Sequence, residues 1–133
     1  MFILPHLQFH LIRQQNEYLF KLGYSKFTRK KKDEAKVNFN ELLQRESDYK
    51  IPATYYYSHI AYEEGKYQTA LVGFKEIANS KMFKSIIPYY ITQILYQQHK
   101  YNDLIAYAPN YIDSVIVNPF RRGRFFLNDV FKL

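Results

Sequence analysis

Cysteine is absent from the 133-residue sequence. That excludes disulfides, thiolate metal sites and cysteine nucleophiles, and it leaves the redox compartment open. Glycine and proline are scarce, at 4 and 5 residues, which fits a compact helical array with short turns. No apolar run approaches the roughly 18–20 residues that a membrane-spanning helix needs, so no transmembrane segment is expected. Enzyme signatures are missing as well. There is no glycine-rich phosphate loop and no nucleophile elbow. The histidines stand scattered at positions 6, 10, 59 and 99. The expectation is a non-catalytic protein with no cofactor and no metal. The stretch Met1-Phe2-Ile3-Leu4-Pro5-His6 has neither a basic n-region nor a small-residue cleavage site. No signal peptide is expected from it, and a native N-terminus there implies the cytoplasm.

Apolar residues make up 47% of the chain, too many for a disordered one and enough for one domain with a modest core. The net charge of +7 is local. Between Lys26 and Lys36 six basic residues face Asp33 and Glu34, a balance of +4. From Phe120 to Leu133 four basic residues face Asp129, a balance of +3, and the remainder sums to zero. A protein that wraps nucleic acid usually spreads its cations along a face or groove, and two hot spots argue against that.

The strongest signal is an internal period of 34 to 35 residues. Gly23 is followed by Ala35 and Phe39, Ser58 by Ala70 and Phe74, and Thr92 by Leu104 and Ala108. Each time a small residue precedes a small or apolar one 12 positions on and another 4 later. Self-similarity at such a spacing marks stacked supersecondary units. The small residues suit a close crossing of two helices, and the phenylalanines suit the space left between units. Punctuation agrees. A helix is expected over about 5–13, where Leu4, Leu7 and Leu11 share a face. A second runs from Asn16, a plausible N-cap, to Arg29, with Glu17 favourable in its first turn. Lys30–Lys32 turn into a helix over 33–45. The next pair runs from near Pro52 to Glu64 and from Tyr67 to Asn79, around a left-handed Gly65. The third opens at or just before Pro88, turns near His99-Lys100 and is ended or kinked by Pro109.

A small residue at unit position 8, alanine at 20 and a large apolar residue at 24 resemble the tetratricopeptide repeat. The match is closest over Glu63-Glu64-Gly65-Lys66-Tyr67-Gln68-Thr69-Ala70-Leu71-Val72-Gly73-Phe74. It is good through Leu22-Gly23, Asp33-Glu34-Ala35 and Phe39. It is degenerate in the third unit, where His99 and Leu104 stand at the places of Gly65 and Ala70. The tyrosine-rich first helices are similar to those of bacterial multi-repeat arrays. The resemblance implies an all-α, right-handed α-solenoid of about three helix-turn-helix units. Residues 1–15 would form a partial capping helix packed on the first repeat. Units would span about 16–50, 51–84 and 85–118, leaving 119–133 as a divergent tail. A fragment of a longer array of this kind would equally suit a bacterial cell envelope.

The first helices carry a recurrent stripe. Phe20, Tyr24 and Phe27 are spaced 0, 4, 7, as are Tyr55, His59, Tyr62 and Tyr89, Gln93, Tyr96. The stripe reads either as core or as an exposed surface. Leu19, Leu22, Tyr57, Ala61, Ile91 and Leu95 already supply a core face. The resemblance implies that the stripe lines a concave groove holding a partner protein or peptide. Tyrosine and phenylalanine give large contact area at low conformational cost. Some members grip a C-terminal carboxylate with Lys, Asn and Arg on this stripe. Phe20, Tyr24, Tyr55 and His59 depart from that pattern, which argues against chaperone-tail binding. His59 and Glu63 lie four residues apart but have no evident third metal ligand. Two alternatives remain. One is a basic adaptor for nucleic acid or an anionic membrane surface, using Arg29–Lys32 or Arg121, Arg122, Arg124, Phe125 and Phe126. The other is a truncated segment of a longer array with no independent activity.

Overall fold

The computed structural model describes residues 4–111. The proposed tail at 119–133, its basic segment and the last residues of the third unit lie outside them. The described residues are all-helical, without strands, and consecutive helices pack on one another. The helices are α1 (Pro5–Thr28), α2 (Lys32–Leu43), α3 (Lys50–Glu63), α4 (Tyr67–Glu76), α5 (Ile87–Gln97) and α6 (Tyr101–Tyr107). A 3-10 turn, Ala108–Tyr111, follows α6 where Pro109 stops the α-helical ladder.

The three hairpin turns share one geometry. Lys30, Gly65 and His99 are left-handed, with φ of 64°, 78° and 59°. In each turn that residue's N–H bonds back three residues, to Phe27, Tyr62 or Tyr96. The next N–H bonds back five, Lys31 to Lys26, Lys66 to Ala61 and Lys100 to Leu95, at 2.8, 2.8 and 2.9 Å. These paired bonds are the Schellman closure, which satisfies carbonyls left over at a helix end. Lys31, Lys66 and Lys100 then start the next helix with φ near −90° and ψ of 63°, 69° and 64°. Their carbonyls accept the N–H of Ala35, Ala70 and Leu104, each at 3.0 Å. The sequence period is therefore a period of backbone geometry.

Left-handed backbone costs an L-residue roughly 1–2 kcal/mol, which glycine escapes. A Cβ on Gly65 would meet nothing within 4 Å, so only this backbone cost applies. Gly65→Ala is expected to lower stability by about 1 kcal/mol, and Lys30→Gly to raise it by about 0.5–1 kcal/mol. Urea denaturation checks both, and a destabilising Lys30→Gly would contradict the strain assigned to that turn.

Two compact units divide between Ile60 and Ala61, inside α3. In the first, Ala35, Phe39, Leu42, Ala53 and Ile60 form the buried core, with Leu19, Phe20, Phe27, Tyr49, Tyr56 and Tyr57 packed around it. Phe39 lies stacked on Tyr56, centroids 5.6 Å apart at 19°. In the second, Phe74 lies stacked on Tyr90 at 4.8 Å and 13°. The same relation recurs at the edges. Phe27 meets Tyr56 edge-on at 5.1 Å, and Tyr62 meets Tyr90 edge-on at 5.7 Å. Tyr55 against Tyr56 and Tyr89 against Tyr90 repeat at 5.1 and 5.2 Å. α2 and α4 thus each insert a phenylalanine against a tyrosine of the following first helix.

The small residue at the close crossing behaves differently in each repeat. A Cβ on Gly23 would stand 2.9 Å from Phe39 Cε1 and 3.2 Å from Asn38 Cβ, so the backbones need glycine there. Thr92 is fully buried and its hydroxyl donates to the Tyr89 carbonyl at 2.8 Å. Ser58 is buried with no hydrogen-bond partner for its hydroxyl among the described residues. Gly23→Ala is expected to cost about 1–3 kcal/mol by overpacking. Ser58→Ala is expected to gain about 1 kcal/mol, because it removes a buried hydroxyl that makes no bond. Thermal melts of the two variants should move in opposite directions, and a shared direction would reject this account of the crossing.

The N-terminus departs from expectation. The helices expected at 5–13 and 16–29 are one 24-residue helix. Nothing between Arg13 and Asn16 breaks it, since neither glycine nor proline occurs there. Asn16 is no N-cap. It is 4% exposed, and its Oδ1 accepts a hydrogen bond from Arg45 at 3.0 Å. Glu17 sits mid-helix, paired with Lys21 at 2.7 Å. Leu4, Leu7 and Leu11 do not pack as a cap. They stay 46–49% exposed, because α1, twice the length of α2, overhangs it.

Candidate functional site

The nine stripe residues sit on α1, α3 and α5 as the helical spacing requires. Their exposure is uneven. Tyr24 is exposed at 44%, Tyr55 and Gln93 are buried at 8% and 9%, and the other six are half-buried.

In the first unit, Tyr56 gathers the stripe. Phe20, Tyr24, Phe27 and Tyr55 all place their rings within 5.1–6.1 Å of it. Phe20 also runs nearly parallel to Tyr24, at 6.4 Å and 17°. His59 lies edge-on to Phe27 at 5.5 Å and tilted to Tyr55 at 6.2 Å. Burial among these rings drives its pKa down to about 4, and the nearby charge of Lys32 adds to the shift. The imidazole is therefore neutral at pH 7. Burial, with help from Tyr24 and Tyr55, raises the Tyr56 hydroxyl pKa.

In the second unit Tyr90 plays the part of Tyr56. Tyr62 packs edge-on against Tyr67 at 5.9 Å as well as Tyr90, and its hydroxyl donates to Gln93 Oε1 at 3.4 Å. That bond stands where Phe27 meets His59 one repeat earlier. Burial first, then Tyr89 and Tyr67, pushes the Tyr62 hydroxyl up to about 12. Tyr96 belongs to a separate contact, edge-on to Tyr101 at 5.8 Å. The raised Tyr56 and Tyr62 hydroxyls and the neutral His59 imidazole offer aromatic faces and hydrogen bonds. Comparison with protein-family models, with curated proteins and with solved structures found no match to this chain.

Sequence reasoning missed Tyr56 and Tyr90, which organise both ring clusters. A signal was present: the doublet Tyr55-Tyr56 recurs as Tyr89-Tyr90, 34 residues on. Among the described residues no group of three or more His, Cys, Asp or Glu could hold a metal ion, and no helix is long and apolar enough to cross a membrane. The basic turn at Arg29, Lys30 and Lys31 is exposed.

Proposed function

We propose that this chain is a tetratricopeptide-like, right-handed α-solenoid that acts without catalysis and binds a partner protein or peptide through the aromatic stripe of its first helices. The carrying observation is the recurrence of the same turn and the same ring contacts at 34–35 residues. A stack built this way repeats its surface as well as its core, which favours recognition of an extended chain. The raised Tyr62 hydroxyl and the uncharged His59 imidazole suit an apolar peptide with scattered hydrogen-bond donors. The buried Tyr55 and Gln93 serve the stack more than the partner. Recognition then falls to the accessible edges of Tyr24, Phe27, Tyr89 and Tyr96.

The test begins with a peptide selected from a displayed library against the full chain and measured by titration calorimetry. Tyr24→Ala and Tyr96→Ala are expected to weaken binding by about 1–2 kcal/mol each. Replacing Lys30 and Lys31 by serine should change affinity little, and log K should depend only shallowly on log salt. A steep salt slope, with loss of binding confined to the lysine variants, would favour the basic-adaptor reading instead.

A further inference from the structure

We propose that the cleft between the overhanging half of α1 and the α2–α3 loop binds a small zwitterion with an apolar side chain, such as a free aromatic or aliphatic α-amino acid. The cleft encloses about 440 Å³, within the range of small-molecule sites. Its α1 wall is set by helical spacing. His6, His10 and Arg13 fall at i, i+4 and i+7, with Phe9 and Ile12 beside them, and all five line the cavity. Ser47, Asp48 and Tyr49 line it from the loop, together with Glu46, whose carboxylate is already held by Lys50 at 2.7 Å.

Two features give this wall a ligand chemistry. First, it holds apolar surface that nothing in the described chain covers. Phe9 is 74% exposed and Ile12 51%, and Tyr49 supplies a third apolar body. Second, its opposite charges are loosely held. Arg13 and Asp48 approach only to 3.6 Å, with side chains 72% and 83% exposed. An exposed pair at that distance contributes little and opens cheaply. A ligand carrying both charges could part them, its carboxylate meeting the Arg13 guanidinium and its ammonium meeting the Asp48 carboxylate. Both protein charges stay paired, and the ligand's side chain covers Phe9, Ile12 and Tyr49. A purely anionic or purely cationic ligand would leave one of the two unpaired.

The experiment titrates the ¹⁵N-labelled full chain with phenylalanine, N-acetylphenylalanine and phenylalanine amide, following amide shifts by NMR. The free amino acid is expected to move the amides around His6, Phe9 and Tyr49, and to bind at least about tenfold tighter than either blocked form. Arg13→Gln should abolish the advantage of phenylalanine over its amide. Asp48→Asn should abolish the advantage over the acetyl form. Both sites are at the surface, so the remaining spectrum should be unchanged. Equal binding of all three ligands would reduce the cleft to an apolar patch and overturn the proposal, as would shifts confined to residues outside it.

Discussion

Phe74→Ala is expected to destabilise the protein by about 3–5 kcal/mol, a large share of what a domain of this size has to lose. Phe74 is fully buried, and its ring is the partner of Tyr90 at 4.8 Å, so truncation leaves both a cavity and an unpaired ring face. Phe39→Ala should cost a similar amount, because Phe39 is fully buried against Tyr56 in the corresponding place of the first unit. Phe9→Ala, at a ring 74% exposed, is the control and should stay within about 0.5 kcal/mol of the parent. Chemical denaturation followed by circular dichroism gives all three values. A Phe74 variant no weaker than the Phe9 variant would refute the ring stack as a source of stability.

Acid should destabilise the fold through His59. Its folded pKa is held at about 4, against an ordinary value of 6.5, by burial and then by Lys32. The unfolded chain takes up the proton as pH falls below about 6.5, while the folded chain resists until about 4. Between those values the unfolded state binds more protons, so stability is full above 6.5, declines as pH drops and levels off below 4. The limiting loss is about 3 kcal/mol, at about 1.4 kcal/mol per pKa unit. Carboxylates also titrate near the lower end, so the comparison must be with His59→Gln, which cannot take the proton. Between pH 7 and 4.5 the parent should lose about 2–3 kcal/mol more unfolding free energy than the variant. Parallel pH profiles would show that His59 is solvated in the folded state.

Much of the helical framework was legible, because it depends on local chemistry. Gly65 announces a left-handed turn, Pro109 a helix stop, and the Gly23–Ala35–Phe39 spacing a crossing of two helices with a phenylalanine behind it. Lys30 and His99 could be placed as turns only by register with Gly65, since neither residue favours a positive φ. What the sequence hid depends on distant partners. Asn16 has the chemistry of an N-cap, yet Arg45, 29 residues away, claims its side chain. Leu4, Leu7 and Leu11 have the spacing of a buried face, but whether anything meets that face depends on the relative lengths of α1 and α2. The stripe showed the same limit. Its 0, 4, 7 spacing fixed which residues share a side of each helix, and it could not say that Tyr55 would be covered while Tyr24 stayed open. Tyr56 and Tyr90 looked like one more pair of aromatics in a tyrosine-rich chain until Phe39 and Phe74 were seen lying against them.

The overhang of α1 has a thermodynamic consequence of its own. Residues near Leu4 and Phe9 extend a helix already nucleated farther along, and Leu4 offers no side-chain cap to the first turn. Lengthening such a helix gains or loses little per residue, with a propagation constant of about 1–1.6. This end should therefore unzip residue by residue, as a tethered peptide does, with no sharp melting point and little effect on the core behind it. Far-UV ellipticity would then drift with temperature well before the cooperative transition. Anything that settles against Phe9 and Arg13 would be read out as added helix.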